Sequence, residues 1–448
     1  MVGDGTHINA MPTKAFFVDM LVKDIPLERA VLDLVDNCVD GAKRLRPEEV
    51  PNFTGLEVKL QLSGDRFEIE DNCGGFDVET AKNYAFRFGR PAAAKSTDYS
   101  IGQFGVGMKR ALFKFGRYFE VHSTTKHQKW SMTVDVDEWE GSTDWFFNFD
   151  EIIDDQEFPE EECGTRIIVR RLRPEVASRF SAEYFRRQLS EMIRSHQRQF
   201  LAFGMVIDFE GMHLTNTDLR IRTGGSFSPA IEEYGFDGDS DSPIFVRIVA
   251  GISESVPAEA GWYVVCNGRV ILSADRSEET GWGSVAEQKE GIPKYHNQYA
   301  RFRGIVFFNC RSSSKLPWNT TKTGLDSSSV VWQATYPKML DHTRTVIKFL
   351  NSLDDDIEEY GRSSSPLLAA MSRETLSQDV EKFQGARSFS WNRSPRALGP
   401  KMVKIQYSRE ESKIRTLMTA LGVSSAKAVG ENTFDMIYTE QANGEGEE

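Results

Sequence analysis

Between residues 27 and 45 apolar side chains recur at helical spacing: Leu27, Ala30, Val31, Leu34, Val35, Cys38 and Ala42. The spacing predicts an amphipathic helix over Leu27–Leu45. Asp33, Asp36, Asn37 and Asp40 stand at i, i+3, i+4 and i+7 and share one polar stripe. Taken singly, Asp36 and Asp40 read as solvated or capping groups; a whole stripe of short carboxylates and an amide asks for a ligand. The period then changes to two. Leu56, Val58, Leu60 and Leu62 alternate with Glu57, Lys59 and Gln61, Ser63-Gly64-Asp65 makes a turn, and Phe67 and Ile69 lead back to Asp71. A helix is predicted over Val78–Phe88, a small-residue loop over Gly89–Ser100, and a helix from near Gly105 to Phe115. Strands are predicted at Tyr118–Ser123, Trp130–Val136, Trp145–Phe149 and Thr165–Arg170. Without regular βαβ alternation, this order implies an α+β sandwich.

From about Asn216 the pattern restarts. Phe245–Val249, Gly261–Val265, Arg269–Leu272 and Gly304–Phe308 read as strands, and Val330–Leu353 carries apolar residues at helical spacing. Residues 361–404, rich in Ser, Arg and Pro, read as linker. A short helical module is expected at Glu411–Leu421, and a polar tail at Asn443–Glu448. The expected division is 1–215, 216–360 and 361–448, the last mostly irregular.

Composition narrows the class. With 448 residues, 40% hydrophobic and 27% charged, the chain has ample core material. No run approaches the roughly 18 to 20 apolar residues of a membrane helix, so no membrane partner is expected. The amino terminus lacks the basic and apolar regions of a signal peptide. Five scattered cysteines without a CxxC pair favour reduced thiols and a cytoplasmic setting. A net charge of −13 argues against a surface coated for nucleic acid but leaves room for a local basic patch. The acidic runs 150–162 and 354–359 read as a solvated loop and a helix end.

The P-loop pattern GxxxxGK[ST] is absent. In its place stands Gly102-Gln103-Phe104-Gly105-Val106-Gly107-Met108-Lys109, glycines leading into a helix whose free N–H groups suit an anion. With Asp33-Leu-Val-Asp36-Asn37-Cys38-Val-Asp40, Asp71-Asn-Cys73-Gly-Gly75-Phe76 and Gly164-Thr165, it forms four motifs in fixed order. The set resembles the ATP site of the GHKL ATPases (gyrase, heat-shock chaperone, histidine kinase and MutL), and is most similar to prokaryotic MORC-like and MutL-like proteins. The resemblance covers roughly residues 10–350, with specific motifs only in the first 165.

It implies a Bergerat-type ATP-binding sandwich followed by a transducer-like, ribosomal-protein-like βαβ domain. It implies ATP and Mg²⁺ as cofactors, with Asn37 on the metal, Asp71 on the adenine amino group, Gly75 and Phe76 beside the base, and Thr165 supporting Asp71. Asp40 would lie near the adenine pocket, and residues 102–109, Lys109 included, would surround the phosphates. Asp33 takes the place of the usual water-activating glutamate, one methylene shorter. Cys73 stands where the family's hairpin has glycine.

The segment Asn267-Gly268-Arg269 resembles a transducer strand-turn, although Asn-Gly is also an ordinary hairpin turn. The same resemblance implies a lysine that senses the terminal phosphate, Lys315 or Lys322, with Lys322 preferred. It further implies ATP-gated homodimerisation, often on DNA, and points toward anti-phage defence or genome maintenance. Lys382, Arg387, Arg393, Arg396, Lys401 and Lys404, interleaved with Phe389 and Trp391, form a candidate DNA-contacting segment whose alternative is a soluble linker. A chaperone-like ATPase acting on protein partners, and an ATP-sensing module with little turnover, are the competing functions.

Overall fold

A computed structural model describes residues 13–23, 25–47, 51–87, 98–102, 107–237, 240–284, 292–319, 322, 324–391 and 405–444. Contacts gather the chain into two units, 1–354 with 367–395 and 355–366 with 396–448.

The first unit begins with α1 (Lys14–Lys23) and α2 (Leu27–Leu45). Every apolar residue that defined the α2 pattern is buried, and so are Asp36 and Asp40. Glu28 in its first turn and Lys43 and Arg44 in its last complement the helix dipole. The hairpin follows as β1 (Glu57–Leu62) and β2 (Arg66–Asp71), with Leu60 opposite Ile69 and Leu62 opposite Phe67. Next come α3 (Val78–Thr80), continued as a π-helix over Ala81–Ala85, then α4 (Gly107–Phe115), β3 (Gly116–Thr124), β4 (Gln128–Asp135) and α5 (Val136–Gly141). β5 (Glu151–Asp154), β6 (Gly164–Leu172), α6 (Pro174–Ser181), α7 (Glu183–His196), α8 (Arg198–Ala202), β7 (Val206–Phe209) and β8 (Met212–His213) complete this half. Its strands form one sheet in the order β5-β4-β3-β6-β2-β1-β7-β8, antiparallel except for β1·β7. Helix α2 packs on α4, placing the polar stripe at the edge of a buried layer.

One strand expectation fails here. Trp145–Phe149 alternates like a strand but is not one of the strands among the described residues; Trp145, Phe147 and Phe149 pack edge-on or tilted against Trp139 and Trp130. The strand lies just after it, at β5, inside the acidic run expected to be a loop.

A second sheet follows in the same unit. After β9 (Arg220–Thr223) come β10 (Ala230–Phe236), β11 (Ile244–Ile252), β12 (Gly261–Cys266), β13 (Arg269–Asp275) and β14 (Phe302–Asn309). Their order is β10-β11-β14-β12-β13, with β12 parallel to β14. Among the described residues this parallel pair is joined through β13 and two 3-10 turns, without the α-helix of a βαβ unit. All six residues of β12 are buried, as expected for a strand covered on both faces. One cover is α9 (Val330–Tyr360): Thr343 accepts a hydrogen bond from the Trp262 indole, and Thr335 bonds the Tyr234 hydroxyl.

The other cover corrects the linker expectation. After α10 (Pro366–Glu374), β15 (Leu376–Asp379) pairs with β9, and Val380 and Phe383 enter the core with Ile221, Val249, Val265 and Ile305. Phe389 and Trp391 stack on Phe349 and on each other, so they are packing residues and not a platform for bases. Sparse apolar positions in this stretch are each spent on one core contact, which conceals them from a periodicity search. Arg393, Arg396, Lys401 and Lys404 lie outside the described residues.

In the second unit, α11 (Glu411–Leu421) takes the bounds that the periodicity predicts and ends on Gly422 in the left-handed region. α12 (Ala426–Gly444) follows, so this region is largely helical.

Candidate nucleotide site

The adenine end of the site is assembled from neighbouring strands. Asp71 closes β2 directly opposite Thr165 on β6. Its carboxylate accepts from the Cys73 backbone N–H at 2.8 Å, and the Cys38 thiol from α2 lies within hydrogen-bonding reach. Burial pushes the Asp71 carboxyl up, against the pull of these donors. The Cys38 and Cys73 thiols are also pushed up, chiefly by burial. Gly75 has φ +61°, and a Cβ there would stand 2.3 Å from the Thr124 carbonyl oxygen. The strands themselves therefore demand glycine, whatever approaches from outside. Phe76 donates its backbone N–H to Ser123 and packs edge-on to Trp130.

The phosphate end lies along the α2 stripe. Asp40 is buried, and its two oxygens accept the N–H groups of Ile101 and Gly102 at 2.7 and 2.6 Å. This fixes the entry of the glycine segment onto α2. Asn37 is exposed, and its amide bonds no other described residue. A Cβ on Gly102 would stand 3.0 Å from Asp40 Oδ2 and 3.6 Å from Asn37 Oδ1. At the start of α4, a Cβ on Gly107 would come 3.1 Å from Asp33 Oδ2. The glycines thus bring backbone against Asp33, Asn37 and Asp40, and oxygen donors of this kind suit Mg²⁺. Met108 follows in the first turn of α4, half-buried. Gln103, Phe104, Gly105 and Val106 lie outside the described residues.

Lys109 departs from expectation. It is 1% exposed and donates to the Ala85 and Arg87 carbonyls at 2.8 and 2.6 Å. Burial pushes its ammonium down to about 7. Its contacts bind α4 to the end of the π-helix.

The second sheet completes the phosphate end. Lys322, with φ +52°, lies 3.2 Å from Asp36 Oδ2 and 3.7 Å from Asp33 Oδ1. Burial pushes its ammonium down, opposed by Asp33. Lys315 instead pairs with Asp237 at 2.9 Å and bonds Ser240. Asp36, which singly read as solvated, is fully buried: Oδ1 accepts from Gln197 at 2.8 Å, and Oδ2 is ion-paired with Arg269, itself 0% exposed.

The Asn267-Gly268 turn that presents Arg269 has φ of +48° and +88°, as a two-residue hairpin turn of the primed type needs. A Cβ on Gly268 would stand 2.7 Å from the Phe200 ring of α8. Lys43 of α2 donates to the carbonyls of Asn267 and Tyr99, both at 2.9 Å. The Asn267 side chain bridges the Ser100 and Cys310 carbonyls and accepts from the Cys310 N–H. Residues 99–102, which precede the glycine segment, are therefore held between α2 and the end of β14. Asn267 and Arg269 stand in the segment that resembles a transducer strand-turn, whereas Gln197 carries no local signal; the partners of all three are brought together only by the fold.

Among the described residues no helix is long and apolar enough to cross a membrane. No curated protein matches the chain. Residues 25–165 match the family described as "Histidine kinase-, DNA gyrase B-, and HSP90-like ATPase", and this match, falling on the segment that holds Asp33, Asn37, Asp71 and Thr165, supports a GHKL-type ATPase domain with ATP as its ligand.

Proposed function

We propose that the chain binds ATP with Mg²⁺ and hydrolyses it, and that the second sheet responds to the terminal phosphate through Lys322. The observation that carries this reading is the meeting of Asp33, Asp36 and Lys322 beside an exposed Asn37 that bonds no other described residue. Asp71, supported by Thr165 and Cys73, receives the adenine amino group. Asn37 supplies one oxygen to the metal, which when bound neutralises phosphate charge. Asp33 accepts the proton of the attacking water. Its position is defined by Gly107 on one side and Lys322 on the other, which compensates in part for the short side chain.

Calorimetry with ATP and phosphate release by wild type and Asp33→Ala test the reading. Binding near wild type with hydrolysis lost in Asp33→Ala is the expected result; equal turnover in both overturns Asp33 as the base. Of the alternatives, the ATP-sensing module corresponds to binding without turnover in either protein.

Nucleotide-gated homodimerisation, prokaryotic MORC-like or MutL-like descent, and work in defence or genome maintenance belong to the same proposal. A monomer at all concentrations with a non-hydrolysable analogue removes the clamp. Action on DNA now rests on the basic side chains of the C-terminal segment alone, because Phe389 and Trp391 are packed.

A further inference from the structure

Asp36 is the most buried carboxylate of the polar stripe, and the arrangement around it is asymmetric. Gln197 occupies one oxygen, while the other faces two cations, Arg269 and Lys322. Asp33 and Asp36 together face three cations, Arg29, Arg269 and Lys322. Glu28 also faces Arg29, and Asp40 faces both Lys322 and Lys43, so the charges of the cluster balance.

The two cations on Asp36 also differ in freedom. Arg269 opens β13, is enclosed on all sides, and follows a turn wedged against Phe200. Lys322 belongs to no helix or strand.

We propose that Asp36 is the positioning residue that couples the nucleotide site to the second sheet: it holds Arg269 permanently and Lys322 exchangeably, so that its carboxylate and the terminal phosphate of a bound nucleotide compete for one lysine. This inference rests on the ATP-binding reading above. When Lys322 turns to a phosphate, Arg269 remains to neutralise Asp36, so no buried carboxylate is stranded. A diphosphate offers no group at that distance, and Lys322 stays with Asp36. The position of Lys322 then reports the state of the nucleotide to β14 and α9, between which its loop lies in the chain.

The test is a double-mutant cycle of binding, read as the affinity for a non-hydrolysable ATP analogue relative to ADP. Wild type, Asp36→Asn, Lys322→Met and the double variant are compared. Releasing Lys322 from its competitor is expected to raise the analogue preference of Asp36→Asn by roughly tenfold, within the usual range of coupling between sites. Lys322→Met is expected to abolish the preference, and adding Asp36→Asn to it to change nothing further.

Effects of Asp36→Asn that are the same with and without Lys322 overturn the proposal while leaving ATP binding intact. Binding of neither nucleotide by wild type overturns the ATP reading and this inference with it. If Asp36→Asn does not fold, the cycle is run with Asp36→Leu on an Arg269→Met background, which replaces the buried pair by apolar side chains. The same two outcomes then decide. Hydrogen exchange at 98–102 and 267–269 supplies a readout independent of turnover. Its protection is expected to rise with the analogue only where Lys322 is present; a rise without Lys322 counts against the proposal.

Discussion

Asp71 and Asp36 are both short carboxylates in the candidate site, yet they are held in opposite ways. Asp71 takes its support from the next turn of its own hairpin and from the facing residue of an adjacent strand. Asp36 is held by groups that arrive from far along the chain: the Gln197 amide, 161 positions away, and the Lys322 ammonium, 286 positions away. The end proposed for adenine is thus built on one sheet, inside the matched segment 25–165. The end proposed for the phosphates also takes groups from Gln197, Arg269 and Lys322. A site divided in this way can keep its affinity for the base constant while the phosphate end changes with the position of the second sheet.

The sharpest way to break the comparison is Arg269→Ala. It leaves Asp36 buried beside Lys322 alone, and removal of one partner of a buried ion pair costs about 3–5 kcal/mol. The loss should appear in urea unfolding, and adding Asp36→Leu should recover most of it. A variant that unfolds like wild type would show that α2 and the second sheet are not coupled through this pair.

Acid should act on the same junction. His196 of α7 contacts the Val270 carbonyl through Nδ1 and lies 3.1 Å from the Arg29 guanidinium through Nε2. Burial and then Arg29 hold it down at about 4, from an ordinary 6.5. The folded state favours the neutral ring, so its stabilisation is complete above about pH 6.5 and is lost as pH falls toward 4. That gap corresponds to on the order of 3 kcal/mol. The measurement is the difference between wild type and His196→Gln in urea unfolding across pH 4–7, which removes the contribution of carboxylates common to both. Parallel pH profiles would contradict it.

The unequal construction explains what the sequence made legible. The α2 helix, the hairpin and β6 each follow from short-range periodicity, and the pairing of Asp71 with Thr165 across β2 and β6 follows from them, while the adenine role of both residues came only from the family resemblance. Asp36 could not be assigned, since nothing within a turn of helix distinguishes a carboxylate facing solvent from one facing an arginine 233 positions later. Lys109 shows a related point: beside a glycine-rich segment its composition suits phosphate, while its bonds to the carbonyls of Ala85 and Arg87 are made only by the fold. Phe389 and Trp391 misled because aromatic residues among basic ones look alike whether they stack on bases or on Phe349.

At the adenine end the expected effects fall on binding and leave folding nearly unchanged. Asp71→Asn keeps the shape but exchanges a carboxylate acceptor for an amide. A hydrogen bond to a charged group contributes about 1.5–3 kcal/mol, so ATP affinity should fall by about 10- to 100-fold, with little change in the urea midpoint. Cys38→Ala removes a thiol that donates to the Leu34 carbonyl at 3.4 Å and lies within reach of the same carboxylate; a neutral hydrogen bond contributes about 1 kcal/mol, so ATP should weaken by about fivefold at most. Cys38→Ser, which keeps a donor, should recover most of that loss. Calorimetry on all three proteins checks both expectations; a Cys38→Ser no better than Cys38→Ala would make Cys38 a packing residue only.

The smallest effect separates the two lysines that sequence alone left as alternatives. Lys315 and Lys322 lie in one loop region after β14, but Lys315 holds a surface pair with Asp237 and bonds Ser240, where water and salt compete for both charges. Lys322 is buried between Asp33 and Asp36. Lys315→Ala should therefore leave ATP binding, analogue preference and stability at wild-type values, in contrast to Lys322→Met. Loss of analogue preference in Lys315→Ala would mean that the second sheet docks on α2 differently once nucleotide is bound. In that event Lys322 would be a structural counter-ion for Asp36, and sensing would pass to the lysine seven residues earlier.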